Sequence, residues 1–329
     1  MNLKNKKVLV TGASGFVGSH LVELLVKTGV SVKAFVHYNS RNDWGNLEKA
    51  DKKVLKEIEV LAGDLRDAEF VRNAVKGTEV VFHLGALIGI PYSYVSPRDV
   101  VDTNVLGTLN VLTAARDFDV EKVVHTSTSE VYGTAQYVPM DEKHPLNPQS
   151  PYAASKVAAD QLALSFYHSF NLPVAVIRPF NIYGPRQSAR SVIPTVIIQA
   201  LTKNKINLGS ISPTRDYTYV LDSVEGFLIL AQSKKTVGQV INLGSGFEIS
   251  IEKIVQIIEK LLNKKLTVVK EKKRVRPEKS EVQRLYSDST LAKKLFGWNP
   301  KIKIEKGLEL TLQWVKNNLE NYKREIYNI

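Results

Sequence analysis

Two short segments near the middle of the chain carry side chains that could move a hydride and a proton. Thr128, Ser129 and Glu130 form one segment, and Tyr152 and Lys156 stand four residues apart in the other. Tyr and Lys at this spacing share one helical face, where an ammonium lowers the pKa of a phenol. We therefore expect Tyr152 to take a proton from a sugar hydroxyl, while Lys156 holds the ribose of a cofactor.

An acid next to this pair adds a second kind of proton transfer. Glu130 could remove a proton from carbon beside a newly formed ketone, which favours loss of water over simple alcohol oxidation. Thr128 could hydrogen-bond the oxygen that Tyr152 deprotonates, and Ser129 could help to protonate a departing hydroxyl. These residues follow a predicted strand, at the sheet edge where ligands bind in parallel sheets. The alternative is that Glu130 is a solvated loop acid.

Glycines near the N-terminus predict a binding loop for a dinucleotide. Gly12, Gly15 and Gly18 lie between an apolar run and a helical pattern. Without side chains there, the backbone can approach a pyrophosphate at the positive end of a helix. The residues predicted to contact the cofactor in this loop are Gly12, Ser14, Gly15, Phe16, Val17 and Gly18.

The segment after the second predicted strand bears on the choice of cofactor. It lacks the Asp or Glu that binds the ribose 2′-hydroxyl in NAD-selective folds, whereas His37, Ser40 and Arg41 could accept a 2′-phosphate. This favours NADP over NAD, unless the three are ordinary loop residues. Asp64 could meet the adenine amino group and Leu65 its face, and the alternative there is a simple Asp-capped turn.

Alternating strand and helix patterns predict an α/β fold with a doubly wound parallel sheet of the Rossmann type. After about residue 180 the pattern changes to proline-bearing loops, helices and an aromatic segment. We predict a dinucleotide-binding domain over residues 1–177, to which part of 215–245 returns, and a smaller α/β substrate lobe over 178–329. The predicted strands are Lys6–Val10, Val30–Val36, Ile58–Leu61, Val80–Leu84, Lys122–Thr126 and Val174–Ile177.

Composition narrows the classes of function. The 329 residues include no cysteine, which excludes disulfides and thiolate metal sites, and the six histidines are too scattered to predict any metal site. No run of 18 apolar residues occurs, so we expect a soluble, cytoplasmic protein without a membrane span. The net charge of +12 fits a solvated basic face or capture of an anionic substrate. Few aromatics lie among the basic residues, so no nucleic-acid partner is predicted.

These motifs together resemble the extended short-chain dehydrogenase/reductase family. The resemblance covers nearly the whole chain and includes the glycine loop, the Thr/Tyr/Lys set, His83-Leu84-Gly85-Ala86, Asn104 to Thr108, Arg178 to Arg186, Arg215 to Val220 and Arg276-Pro277. It implies an enzyme that acts on nucleotide sugars. It also implies cofactor contacts at Leu84, Ala86 and Asn104, and substrate contacts at Asn181, Arg186, Arg190, Arg215 and Arg276.

Within that family, the triplet at 128–130 points to a subclass. Thr-Ser-Glu resembles GDP-mannose dehydratases, whereas 4-epimerases usually carry Ser or Ala where Glu130 stands. UDP-glucuronate decarboxylases share the triplet but tend to have glycine where Ser155 stands. The run from Arg178 to Thr218 is most similar to 4,6-dehydratases of legionaminic acid biosynthesis. The resemblance thus implies an NDP-N-acetylglucosamine substrate, linked to GDP or UDP.

Three alternatives remain at this point: a nucleotide-sugar 4-epimerase, a UDP-glucuronate-type decarboxylase, and a non-catalytic Rossmann protein that binds nucleotide or RNA. The intact Thr128, Tyr152 and Lys156 weigh against the last, since a binding protein has no need of them. Helices near 100–118 and 152–170 resemble those through which family members pair, so the resemblance also implies a homodimer.

Overall fold

In the part of the chain that our computed structural model describes, residues 1–324, 326 and 327, seven parallel strands form the main sheet. Their order is β10-β6-β5-β4-β1-β2-β3. The predicted α/β class with a doubly wound parallel sheet is therefore confirmed. The strands of this sheet are β1 (Lys7–Thr11), β2 (Ser31–His37), β3 (Ile58–Gly63), β4 (Val80–His83), β5 (Lys122–Thr126), β6 (Val174–Pro179) and β10 (Val240–Leu243).

The helices that cover this sheet arise from segments with one apolar face. The apolar side chains of α1 pack on one face of the main sheet, and the apolar side chains of α3, α6 and α7 pack on the other face. The helices are α1 (Phe16–Lys27), α2 (Lys52–Lys56), α3 (Ala68–Val75), α4 (Ile90–Val95), α5 (Pro97–Val101), α6 (Gly107–Asp117), α7 (Pro151–Phe170), α8 (Val192–Thr202), α9 (Val220–Gln232), α10 (Ile251–Leu262), α11 (Thr290–Phe296) and α12 (Ile304–Asn317).

Near-continuous apolar runs explain why the main sheet is parallel and buried. Val8, Leu9 and Val10 in β1 are fully buried, as are Val174 to Ile177 in β6. Strands covered on both faces need apolar side chains in both directions. Because every strand runs the same way, their carboxyl ends meet at one edge, where the predicted site residues lie.

A second hydrophobic cluster lies outside the main sheet and is built from α8, α10, α12 and two small sheets. It contains Tyr183, Ile197, Ile254 and Leu308, all of them buried. The small sheets join strands in the orders β11-β9-β7 and β12-β8. Their strands are β7 (Asn181–Tyr183), β8 (Lys205–Leu208), β9 (Thr214–Tyr219), β11 (Glu248–Ser250) and β12 (Thr267–Lys270).

The chain alternates between these two regions. Strand β9 belongs to a small sheet, α9 then packs on α1 beside the main sheet, and β10 adds to the edge of that sheet next to β6. The connection from β9 to β10 therefore ties the two regions together. Among the described residues, no helix combines the length and the apolar character needed to cross a membrane.

Candidate active site

The glycine loop forms a cradle between β1 and α1 that only glycine can provide. Gly12 has a φ of +70°, and a Cβ there would lie 2.8 Å from the Gly85 nitrogen. A Cβ on Gly18 would lie 2.1 Å from the Gly12 carbonyl oxygen. Gly15 precedes α1, whose first amides are open to an anion because no side chain caps them. This cradle fits the pyrophosphate of a dinucleotide.

Gly85 lies in the segment His83-Leu84-Gly85-Ala86, and the structure shows why a residue without a side chain stands there. A Cβ on Gly85 would lie 2.7 Å from Leu65 Cδ1 and 3.2 Å from Thr11 Oγ1. Leu65 itself is half-buried against the start of α6, where it approaches Gly107. Leu65 and the loop before α4 thus lie together beside the glycine loop. This is the place where Leu65 was predicted to contact the face of the adenine ring.

The residues predicted to select the cofactor lie at the exposed end of β2. His37 and Ser40 are exposed, and the side chain of Arg41 is 83% exposed and lies 3.7 Å from Asp43. The following segment folds back onto the glycine loop, since the Asn46 amide donates to the Ser14 carbonyl at 3.0 Å. The cationic groups therefore border the loop but make no strong contact with it.

Asp64 follows β3 and is paired with a neighbour. Arg66 donates from Nη2 to its carboxylate at 2.5 Å and from Nη1 to Asp99 at 2.9 Å. The hydrogen bonds that Asp64 accepts from Arg66 lower the pKa of Asp64. A ligand that uses this carboxylate would share it with the Arg66 guanidinium.

Asn104, predicted to contact the cofactor, instead holds two parts of the protein together. It lies in a π-helical turn, Asp102–Leu106, a local irregularity common at functional sites. Its amide accepts from the Leu87 amide at 2.7 Å and donates both to the Leu87 carbonyl and to Ser155 Oγ, each at 2.9 Å. The side chain fixes the segment that carries Leu84 and Ala86 against α7, next to Lys156.

The predicted catalytic residues meet at the carboxyl end of β5. Thr128 begins a single 3-10 turn, Ser129–Tyr132, and its hydroxyl accepts from the Glu130 amide at 3.2 Å. The Thr128 side chain lowers the pKa of the Tyr152 phenol, and the Glu130 carboxylate raises it. Thr128 and Glu130 are half-buried, whereas Ser129 is buried. The structure therefore brings Thr128, Glu130 and Tyr152 into one cluster.

Helix α7 supplies the Tyr/Lys pair. Ser150 caps the helix by accepting from the Ala153 amide at 3.1 Å, and Pro151 occupies its first turn. Tyr152 and Lys156 then lie one turn apart and are 7% and 4% exposed. Burial lowers the pKa of Lys156 to about 8.

The expected lowering of the Tyr152 pKa by Lys156 is wrong for the protein as it stands. Burial raises the pKa of the Tyr152 phenol, the Thr128 hydrogen bond opposes this, and the Glu130 charge adds to it. Desolvation wins because the phenol is almost enclosed and an anion there would lose its water. A phenolate at this position therefore needs further positive charge from a bound group.

Two of the predicted substrate arginines converge on one acid. Arg215 Nη2 and Arg276 Nη1 lie 3.5 Å and 3.7 Å from Oε1 of Glu281. Among the described residues, the buried Nη1 of Arg276 and the buried Oδ1 of Asn181 have no hydrogen-bond partner. Both arginines also act electrostatically on Tyr217, as does Glu130. Two guanidinium groups facing the reacting end of the sheet suit a diphosphate.

The structure does not bring the other two predicted substrate arginines into this cluster. Arg186 is buried with a φ of +70°, and its guanidinium contacts Glu23 at 2.7 Å and the Lys49 carbonyl at 3.1 Å. It ties the loop before α8 to α1. Arg190 is exposed on the same loop.

Comparisons with known proteins fit this geometry. Residues 9–311 match the family described as GDP-mannose 4,6 dehydratase. The chain belongs to this family. It is an enzyme of the NAD-dependent nucleotide-sugar dehydratase and epimerase group.

Three similar proteins illustrate the range of this family. UDP-glucuronate 4-epimerase of Thermodesulfobacterium geofontis is 34% identical over 95% of the chain and 97% of its own length. Human dTDP-D-glucose 4,6-dehydratase is 31% identical over 97% of the chain and 92% of its own length. The structure of the dTDP-glucose 4,6-dehydratase DesIV from Streptomyces venezuelae, with NAD and TYD bound, has a TM-score of 0.86 at 27% identity, over 96% and 99%. Both dehydratases and epimerases thus share this fold.

In this member of the dehydratase family, sequence reasoning missed Glu281. The acid lies only five residues after Arg276, a spacing that could have signalled the pair. Among the described residues, no three His, Asp or Glu side chains are grouped so that they could hold a metal ion.

Proposed function

We propose that this enzyme is a nucleotide-sugar 4,6-dehydratase. The observation that carries the proposal is the half-buried carboxylate of Glu130 beside Thr128 and Tyr152. An epimerase exchanges a hydride at C4 and needs no base at C5, whereas a dehydratase must also take a proton from carbon. The position of Glu130 beside Tyr152 supports this role.

In the proposed reaction, each residue acts on one atom or group of the substrate or cofactor. Tyr152 takes the proton of the 4-hydroxyl, Thr128 hydrogen-bonds that oxygen, and Lys156 holds the cofactor ribose. A bound NAD or NADP, held by the glycine loop and Lys156, would supply reversible hydride transfer at the sugar carbons C4 and C6. The C4 ketone acidifies the C5 proton, which Glu130 removes as the C6 hydroxyl leaves as water. Ser129 is the proposed donor of the proton for that water, and the proton that Tyr152 took from the 4-hydroxyl replaces it. Glu130 returns a proton to C5 as C6 is reduced, which gives a 4-keto-6-deoxy sugar.

The proposed substrate is an N-acetylglucosamine linked to GDP or UDP, as in legionaminic acid biosynthesis. The support for N-acetylglucosamine is the resemblance of the run from Arg178 to Thr218 to the 4,6-dehydratases of legionaminic acid biosynthesis. The guanidinium groups of Arg215 and Arg276, which face Tyr217, support a diphosphate. Asn181 lies on β7, directly beside Tyr217 on β9, and would bind the same part of the substrate.

NADP is the proposed cofactor, although solved relatives contain NAD. The support is the exposed cluster of His37, Ser40 and Arg41, together with the lack of an acid directly at the end of β2. Asp43, 3.7 Å from Arg41, competes with a 2′-phosphate for the Arg41 guanidinium.

A homodimer is proposed from the surface of α5, α6 and the turn between them. Val101 and Leu106 are 42% and 45% exposed there, and Val95 at the end of α4 is 75% exposed. Apolar side chains grouped on neighbouring helices suit a self-complementary interface. Sedimentation of the full chain measures its mass directly.

Turnover in deuterated water tests the proposed reaction. The enzyme is incubated with GDP- and UDP-N-acetylglucosamine, UDP-glucuronate and UDP-galactose, and products are identified by NMR. We expect one substrate to give a 4-keto-6-deoxy sugar with deuterium at C5. A C4 epimer or a pentose would instead identify an epimerase or a decarboxylase.

The variant Glu130→Gln tests the role of the acid. We expect no water loss and no deuterium at C5 of the recovered sugar, because the amide cannot take the proton. Glu57→Gln, at an exposed position after α2, is the matched control and should behave like the parent. Continued exchange at C5 in Glu130→Gln would mean that another group is the base.

A further inference from the structure

A buried carboxylate lies one turn beyond Lys156 on α7. Asp160 is completely buried, and its Oδ2 atom accepts three hydrogen bonds. Ser127 Oγ donates to it at 2.7 Å, and Arg178 donates from Nε at 3.1 Å and from Nη2 at 2.9 Å. A charged carboxylate in the core is costly unless it is paired in this way, so Asp160 is held as an anion.

The second oxygen of Asp160 is less firmly held. Oδ1 lies 3.2 Å from His125 Nε2 but has no well-aligned hydrogen bond within the described chain. Burial lowers the pKa of His125, so its ring is neutral near pH 7 and adds no counter-charge. Part of the negative charge of Asp160 therefore remains available to other groups.

A second imidazole continues this buried cluster towards the glycine loop. The rings of His83 and His125 lie 5.6 Å apart, and His83 contacts Thr11 Oγ1 at 2.8 Å and Thr108 Oγ1 at 2.9 Å. Burial lowers the pKa of His83 well below its usual value. Both rings that face Lys156 from β4 and β5 are therefore uncharged.

Lys156 needs a nearby anion to stay charged in this setting. Burial lowers its pKa, and the carboxylate of Asp160 opposes that effect. The other acid in the site, Glu130, acts on Tyr152 and Tyr217 instead. A neutral amine could neither attract the ribose oxygens strongly nor stabilise a phenolate.

We propose that Asp160 is a positioning residue, whose buried carboxylate keeps Lys156 in its ammonium form without itself reaching substrate or cofactor. This rests on the proposed role of Lys156, but it holds for any sugar that the enzyme converts. Arg178 acts indirectly, because its positive charge keeps Asp160 ionised.

NMR of the protein labelled with ¹³C,¹⁵N-lysine tests the inference without any substrate. The Lys156 signal is assigned as the one missing from Lys156→Arg, and its midpoint is followed from about pH 6 to 11. The ammonium form exists below the midpoint and is lost as the pH rises through it. We expect Asp160→Asn to lower the midpoint by about one pH unit. An unchanged midpoint would overturn the proposal.

Ser127→Ala is the matched control, since it removes a hydrogen bond to Asp160 but no charge. It should leave the midpoint near that of the parent. Because Asp160→Asn strands the buried Arg178 guanidinium, the double variant Asp160→Asn with Arg178→Met supplies a second test in which no charge is left unpaired. It should show the same downward shift, and a midpoint equal to the parent's would again refute the role of Asp160.

The pH dependence of turnover adds an independent readout. The alkaline limb of kcat should move to lower pH by the same amount in Asp160→Asn, whereas a purely structural effect would lower kcat evenly at every pH. If none of the tested nucleotide sugars reacts, the proposed function fails while the NMR midpoints still decide the role of Asp160.

Discussion

The two regions that meet at the site are held in different ways. On the main sheet, Tyr152 and Lys156 are 7% and 4% exposed and sit on a long capped helix. On the opposite side, the Arg276 side chain is 29% exposed, and its Nη1 atom lies 3.7 Å from Glu281 without a hydrogen-bond partner among the described residues. The proposed reacting groups are therefore fixed when the chain folds, whereas Arg276 keeps room to adjust.

This difference predicts two kinds of kinetic defect. Groups on the main sheet act in the transition state, so changing them should lower kcat. If Arg215 and Arg276 bind the substrate as proposed, they should do so about equally before and during the reaction, so changing them should mainly raise KM. An arginine variant that lowered kcat alone, or a main-sheet variant that raised KM alone, would contradict this difference between the two regions.

The largest effect is expected for Tyr152→Phe. Loss of the phenol removes the proposed base, and kcat should fall by about 10²- to 10⁴-fold. Tyr167→Phe, on the same helix, is the matched control and should keep parental kcat. Steady-state kinetics with the substrate found in deuterated water gives the comparison, and near-parental kcat in Tyr152→Phe would remove the residue from the chemistry.

A smaller effect is expected for Arg276→Ala. A charge-assisted contact to phosphate contributes about 1.5–3 kcal/mol, so KM should rise about 10- to 100-fold with kcat little changed. Lys273→Ala removes the same charge from the same segment, at a side chain that is 59% exposed and paired with Glu271. If both variants raise KM equally, general attraction by the basic segment explains binding better than a specific Arg276 contact.

The smallest effect is expected for Arg41→Ala. Since the side chain is 83% exposed, its contact with a 2′-phosphate should be worth at most about 1 kcal/mol, or about fivefold in affinity. Isothermal titration with NADP and with NAD measures this, and NADP alone should weaken. Equal affinities for both cofactors in the parent would contradict the proposed preference. Lys52→Ala, at an exposed position on α2, is the control.

Local sequence patterns predicted the main sheet well. Apolar runs and the glycine loop are local features, and the observed β1, β2 and β5 lie within one residue of their predicted bounds. The class of the fold followed from the alternation of these strands with helices. The short strands β7, β8, β11 and β12 and the edge strand β10 of the main sheet were not predicted, because three or four residues carry too little periodicity.

The partners of individual polar side chains were harder to predict. Motif position alone placed Asn104 at the cofactor and Arg186 at the substrate. In the structure, the Asn104 side chain hydrogen-bonds Leu87 and Ser155, and the Arg186 side chain pairs with Glu23. These pairings join segments far apart in the chain, so they depend on the tertiary fold. The raised pKa of Tyr152 has the same origin, because burial is not visible in a YxxxK motif.

The position of β10 at the edge of the main sheet determines how a truncated form of the chain would behave. Strand β6 pairs on one side with β5 and on the other with β10. A fragment that ended at Pro179 would present Val174 to Ile177 as an unpaired, wholly apolar edge, the kind of surface on which strands of other chains add and aggregate. We therefore expect a fragment that ends at Pro179 to aggregate, whereas the full chain covers this edge with β10.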